Sequence, residues 1–176
     1  SKILVTTPDK TILNFLKKKY KKRILLFKRD LSLSGINIAL DQTIKKSIIF
    51  AKKKGIKFDY IFQLSYKTPF LKNTDIDSFV YMMEFFNTDE VIGVKAETDR
   101  MYKHNGSTLE LINNSSNLRL ERDEIYRGVP NLRLFKKKNA SNNKKKKILG
   151  HYILDQKSAL AINNDLDWKM ALSIIH

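Results

Sequence analysis

The chain has 176 residues, a formal net charge of +16, 42% hydrophobic residues and no cysteine. This length suits one domain with a real core, and the lack of cysteine excludes disulfides and thiolate metal sites. With no run of about 18 apolar residues and no secretory-leader pattern, no membrane span is indicated and a cytoplasmic protein is expected.

Lysine supplies most of the positive charge, in runs at 17–19, 52–54, 136–138 and 144–147. A basic surface can meet nucleic acid, anionic membrane or phosphorylated ligands. The runs are scattered and arginine is scarce, so a solvated, compositionally biased surface is preferred over a dedicated nucleic-acid face.

Residues 3–6 form a short buried-type strand. Thr7 and Pro8 then read as a helix cap followed by proline at the first helical position. Ile12, Leu13 and Leu16 give that helix an apolar stripe to about Lys19. A second strand is predicted over 24–27 and a loop over 28–34. A longer helix follows over 37–54, with Leu40, Ile44, Ile48 and Ala51 on one face. Lysines in its last turn and Gly55 beyond them form a stop signal.

A strand over 60–64 runs into a polar turn at 65–68, then Pro69, then a capped helix from Asn73 or Thr74. Ile76, Phe79, Val80 and Met83 mark that helix's core face. Further strands are predicted over 91–94, 109–112, 132–135 and 148–154. The lysine- and asparagine-rich stretch 139–147 reads as a mobile surface loop. An amphipathic helix over 165–175 carries Trp168, the only tryptophan. Strands alternate with helices in the first half, and the second half looks more antiparallel. The expected fold is a single α/β domain over 1–176, a three-layer sandwich with a mixed, mostly parallel sheet.

In such sheets ligands sit at the carboxyl ends of strands, which draws attention to the turn after residue 64. Its residues, Leu64-Ser65-Tyr66-Lys67-Thr68-Pro69-Phe70, followed by Thr74-Asp75-Ile76-Asp77, resemble the acylneuraminate cytidylyltransferases. That family's turn reads Leu-Gln-Pro-Thr-Ser-Pro-Leu. The resemblance runs in order along almost the whole chain. Residues 3–9 are similar to the family's second strand and its Val-Ser-Thr-Asp turn. Residues 27–31 resemble Arg-Pro-Ala-Glu-Leu, and 91–94 resemble Val-Val-Ser-Val. Residues 118–122 with Tyr126 and Arg127 resemble the region that covers the sugar. Residues 131–136 resemble Asn-Gly-Ala-Ile-Tyr, and 162–171 the closing Ile-Asp-Thr-Glu-Leu-Asp-Leu and its helix.

The resemblance implies a nucleotide-diphospho-sugar transferase-like fold and a CTP-dependent transfer to a sialic-acid-like acidic sugar. CTP and that sugar would be the partners, with Mg²⁺ as cofactor and pairing into a homodimer possible. On this view Ser65 and Thr68 would contact nucleotide or sugar hydroxyls. Lys67 and Arg29 would meet phosphate or the sugar carboxylate, and Arg127 and Asn131 would line the sugar pocket. No nucleophile or general base is assigned.

Three departures stand out. The chain starts at the family's second strand, so the first, central strand and the phosphate-cradling loop are lacking. The fold is therefore expected to be N-terminally truncated, with a gap in the sheet, either by trimming or because the chain is a piece of something longer. Ser65 replaces a glutamine, with a different hydrogen-bonding pattern. The family's metal-binding Asp-Ile-Asp falls on Ala161-Ile162-Asn163, which leaves Asn163 and nearby Asp165 as the metal candidates.

Each of these residues has a plainer role to set against the functional one. Ser65 and Thr68 are ordinary turn formers, Arg29 sits in a lysine-rich loop, and Asp165 and Asp167 suit helix capping. His104 has no second histidine near it, which argues against zinc. The competing functions are a non-catalytic relative whose metal site has decayed and a basic nucleic-acid-binding domain.

Overall fold

The computed structural model describes residues 1–35, 38–113, 123–140 and 147–175. They group into two compact units: Ser1–Asp59 with Lys137–Lys144, and Tyr60–Lys136 with Lys145–His176.

The first unit opens with β1 (Ile3–Thr7), α1 (Lys10–Tyr20), β2 (Ile24–Lys28) and α2 (Leu40–Lys53). β1 and β2 pair in parallel, from Ile3 opposite Ile24 to Thr7 opposite Lys28. α1 is capped by Asp9 and not by Thr7. The Asp9 carboxylate accepts from the Thr11 and Ile12 N–H groups at 2.7 and 3.3 Å, while the Thr7 hydroxyl accepts from the Asp9 N–H at 3.2 Å. A carboxylate satisfies two orphan donors and complements the helix dipole, which a hydroxyl does less well. Leu13 and Leu16 are half-buried, whereas Ile12 is exposed.

The start predicted for α2 at Asn37 lies outside the described residues. The inward stripe of α2 is Thr43 and Ala51, both buried, with Ile44, Ser47 and Ile48 half-buried between them. Phe50 stacks on Phe27 of β2, ring centres 4.9 Å apart. The helix stops as its sequence predicts. Gly55 takes φ +74°, and the Gly55 and Ile56 N–H groups close onto the Lys52 and Ala51 carbonyls.

The second unit comprises β3 (Tyr60–Gln63), α3 (Asn73–Phe85), β4 (Glu90–Glu97), β5 (Tyr102–His104), β6 (Leu109–Leu111), β7 (Ile125–Lys136), β8 (Leu149–Ile153) and α4 (Asp165–Ile175). Four of these strands form a sheet in the order β3-β7-β4-β8, and β5 and β6 form a separate hairpin. β7 runs antiparallel to both its neighbours, and β8 pairs in parallel with β4. Three of the four strands therefore share a direction, and β7 opposes them.

Two strands depart from expectation. β5 was not predicted: three exposed residues of mixed polarity give no alternating signal. β7 extends seven residues before the predicted start, because its first half is largely exposed and lacks the apolar run of its second half. The loop predicted over 139–147 lies mostly outside the described residues.

Phe79 and Met83 of α3 pack with Val91, Val129, Leu132, Leu134 and Leu154 to make the core. Phe79 meets Phe62 edge-on at 4.9 Å and Tyr152 at 5.3 Å. The β4–β7 ladder breaks here. Ile92 pairs with Arg133 and Val94 with Gly128, so Gly93 stands opposite residues 129–132. This bulge drives Leu132 over Gly93, where a Cβ would lie 2.5 Å from Leu132 Cδ2 and 3.1 Å from Phe79 Cζ.

α4 has the predicted span, but of its residues only Ala171 is buried. Its apolar residues fall at alternate positions from Leu166 to Ile174. On a helix these divide between opposing faces, so one packed face cannot hold them all. Trp168 remains 55% exposed. Among the described residues no helix is long and apolar enough to cross a membrane.

Gly93→Ala should destabilise the protein by about 1–3 kcal/mol, the usual penalty of overpacking. Urea unfolding should show that Gly93→Ala costs less in a Leu132→Ala background than in the parent. Strict additivity of the two changes would disprove the contact's role.

Candidate functional site

The turn after β3 is built by its own side chains. The Ser65 hydroxyl accepts from the Lys67 N–H at 3.1 Å. The Thr68 hydroxyl donates to the Ser65 carbonyl at 3.1 Å, and the Thr68 N–H reaches the same carbonyl at 3.4 Å. Such local hydroxyl bonds are how serine and threonine define turns. They commit both groups to holding Lys67.

Lys67 is then tied to the segment before α4. Its carbonyl accepts from the Ile162 N–H at 2.9 Å, and its ammonium donates to Asn163 Oδ1 at 3.2 Å. The Asn163 amide group also donates to the Ala161 carbonyl at 3.2 Å. The Asn163 N–H donates to the Asp167 carboxylate at 2.8 Å, and Asn164 Oδ1 accepts from the Asp167 N–H at 2.9 Å. Asn164 is thus the cap of α4, and Asp167 reaches back to hold the turn before it. Asp165, the first residue of the helix, is exposed.

Beside this turn lies a cleft of about 310 Å³, whose walls include Lys95, Arg127, Pro130, Gln156, Asn163 and Asp167. That is the lower end of the size range for small-ligand sites. Lys95 and Arg127 share one counter-charge. Glu97 Oε1 lies 2.9 Å from Arg127 Nε and 3.7 Å from Lys95 Nζ. Two cations on one carboxylate leave this wall positive.

The floor near Gln156 is braced from α3. Lys72 Nζ lies 2.5 Å from Asp155, whose other carboxylate oxygen accepts from the Ser158 N–H at 2.7 Å. The Lys72 hydrogen bond, joined by that of Ser158, draws the Asp155 pKa down to about 2. The same hydrogen bond to Asp155 raises that of Lys72.

The predicted site residues divide accordingly. Lys67 and Asn163 meet directly, and Arg127 lines the same cleft as Asn163. Ser65 and Thr68 position Lys67. Asn131 does not line the cleft. It takes φ 55° within the bulge and accepts from Gln63 Nε2 at 3.3 Å, joining β7 to β3. Arg29 belongs to the first unit. Its N–H donates to the Thr7 carbonyl at 3.0 Å, and its buried Nε has no hydrogen-bond partner among the described residues. The region at 118–122 lies outside the described residues. Lys95 and Gln156 were not foreseen. A lysine directly after the apolar run Val91–Val94 was the available signal for the first, and Gln156 carried none.

The donor set does not fit a divalent metal. Ala161 offers no side-chain ligand, and the Asn163 oxygen already receives the Lys67 ammonium, which would repel a dication. Among the described residues no three His, Cys, Asp or Glu side chains gather in a group that could hold one.

No family model and no curated protein matches the chain. Solved structures do. A 4-diphosphocytidyl-2C-methyl-D-erythritol synthase aligns over 100% of this chain and 83% of its own, at 9% identity and a TM-score of 0.67. The corresponding synthase from Anaerococcus prevotii DSM 20548 aligns over 99% and 78%, at 11% identity and a TM-score of 0.63. At such identities the likeness shows the fold, which is the nucleotide-diphospho-sugar transferase-like α/β fold with a mixed sheet.

The Lys72–Asp155 pair gives a pH signature. A depressed carboxylate pKa stabilises the fold above its unfolded value near 4, and this is lost as pH falls toward about 2. The raised lysine pKa contributes below about 10.5 and is lost above it. Asp155→Asn should therefore lower the melting temperature at neutral pH, with the gap to the parent closing toward pH ~2. A gap that stays constant from pH ~6 to ~2 would disprove the assignment.

Proposed function

We propose that this chain is a cytidylyltransferase-type nucleotidyltransferase domain that couples CTP to an acidic, sialic-acid-like sugar, giving a CMP-sugar and pyrophosphate. One observation carries the reading: a cleft with Lys95 and Arg127 together on one wall, in a chain whose whole length aligns with a solved synthase named for a cytidyl product. The acidic sugar rests on that charge and on the sequence resemblance.

In this reaction a sugar hydroxyl oxygen forms a bond to the α-phosphorus of CTP. The bond from that phosphorus to the pyrophosphate oxygen breaks, and the hydroxyl proton passes to solvent. Such transfers depend on positioning and on stabilisation of phosphate charge. Glu97 holds Arg127 by its Nε, which leaves the terminal amino groups of the guanidinium to take a ligand carboxylate. Lys95 adds charge from the neighbouring strand.

Pyrophosphate release from CTP, measured across a panel of nonulosonic acids, tests the reading. Arg127→Ala should lower kcat/KM for the acidic sugar about 10- to 100-fold while leaving the KM for CTP nearly unchanged. Turnover of 2-C-methyl-D-erythritol 4-phosphate alone would overturn the acidic-sugar assignment and leave nucleotidyl transfer standing. CTP binding without turnover of any acceptor would mark a non-catalytic domain.

A further inference from the structure

The metal carboxylates that the sequence resemblance leads one to expect are replaced by Ala161 and Asn163, and the Asn163 oxygen receives a lysine ammonium. We propose that Lys67, held against Asn163 at the edge of the cleft, supplies the cation for the nucleotide's phosphates, so that nucleotide binding here needs no divalent metal. This rests on the nucleotidyltransferase reading given above.

Three observations converge on Lys67. Its only side-chain partner among the described residues is a neutral amide oxygen. The cations around it each have a carboxylate partner: Lys95 and Arg127 share Glu97, and Lys72 pairs with Asp155. Lys67 therefore brings a half-buried, uncompensated positive charge. An ammonium in that position gains most from an anionic ligand, because its charge is partly desolvated and has nothing else to pair with.

The second observation is how firmly it is held. The Ser65 hydroxyl takes the Lys67 N–H, and the Lys67 carbonyl takes the Ile162 N–H. These bonds fix the backbone from which the side chain starts, and the bond to Asn163 orients the ammonium, so less freedom remains to be lost on binding.

The third is the chemistry of position 163. An aspartate there would pair with Lys67 and cancel its charge. Asparagine orients the ammonium and leaves its charge available to a ligand. Ala161 removes the other carboxylate that would compete for it.

The experiment is a calorimetric titration of this chain with CTP, in EDTA and in excess Mg²⁺, alongside Lys67→Met, Lys67→Arg and Asn163→Asp. The parent should bind CTP with a Kd that differs less than about threefold between the two buffers. Lys67→Met should weaken binding about tenfold or more in both. Lys67→Arg, which keeps the charge, should recover most of that loss, separating charge from folding. Asn163→Asp should weaken binding, because it neutralises the lysine.

Mn²⁺ provides a readout that needs no nucleotide. Its paramagnetic resonance should show no protein-bound ion at this turn in the parent, and a new one in the triple variant Lys67→Met, Ala161→Asp, Asn163→Asp. CTP binding that vanishes in EDTA, or an unaltered Kd in Lys67→Met, would overturn the proposal and leave the nucleotidyltransferase reading intact. Absence of CTP binding in both buffers would remove that reading and this proposal together.

Discussion

The close approach of Leu132 to Gly93 governs the second unit. Four residues of β7 stand opposite one of β4, and only a residue without a side chain can face them. The bulge sends Leu132 and Val129 into the core beside Phe79. It also re-aims the strand, so that Arg127 and Pro130 come to the cleft. Asn131, in the left-handed region, is part of the same distortion, and its link to Gln63 joins the bulge to the strand that leads into the Lys67 turn. The core and the candidate site thus share one local irregularity.

The cleft shows a consistent use of charge. Lys95 and Arg127 rely on one carboxylate, and at the opposite end of β4 Arg133 and Lys147 likewise share Glu90, at 3.1 and 3.3 Å. A shared counter-ion limits the desolvation each cation must bear and still leaves positive charge. Two pairs of this kind, within a chain of net charge +16, place part of the excess in defined geometry as well as on solvated surface.

Much of the backbone was legible because its signals were local. Gly55 after a lysine-ended turn stopped α2, and apolar runs marked β1, β2 and β4. Asp165 to Ile175 had the length and edges of α4. Harder features depended on distant residues. Thr7 and Asp9 both suit a cap, and only the folded geometry shows which side chain reaches the free N–H groups. The exposed first half of β7 becomes a strand by pairing with β4, which nothing near residue 125 announces. At the site, Lys67 and Asn163 lie ninety-six positions apart in the chain. Each could be singled out from its own motif, yet their contact could not. Lys95 lies one residue past the predicted strand, and nothing local shows that it shares Glu97 with Arg127.

The order of the four-stranded sheet bears on how the protein is made. β7 lies between β3 and β4 although both precede it in the chain. A ribosome therefore releases β3 and β4 with no described partner for their facing edges, some thirty residues or more before the strand that joins them. Open edges invite wrong pairing, and closing a sheet by late insertion is slow because distant segments must meet first. α3, which carries Phe79 and Met83, emerges between the two strands and offers them an apolar surface to rest on in the meantime. The bulge at Gly93 then acts as a marker of register: a strand sliding into that slot finds one place where Leu132 can drop, and a shifted alignment would leave it without a seat.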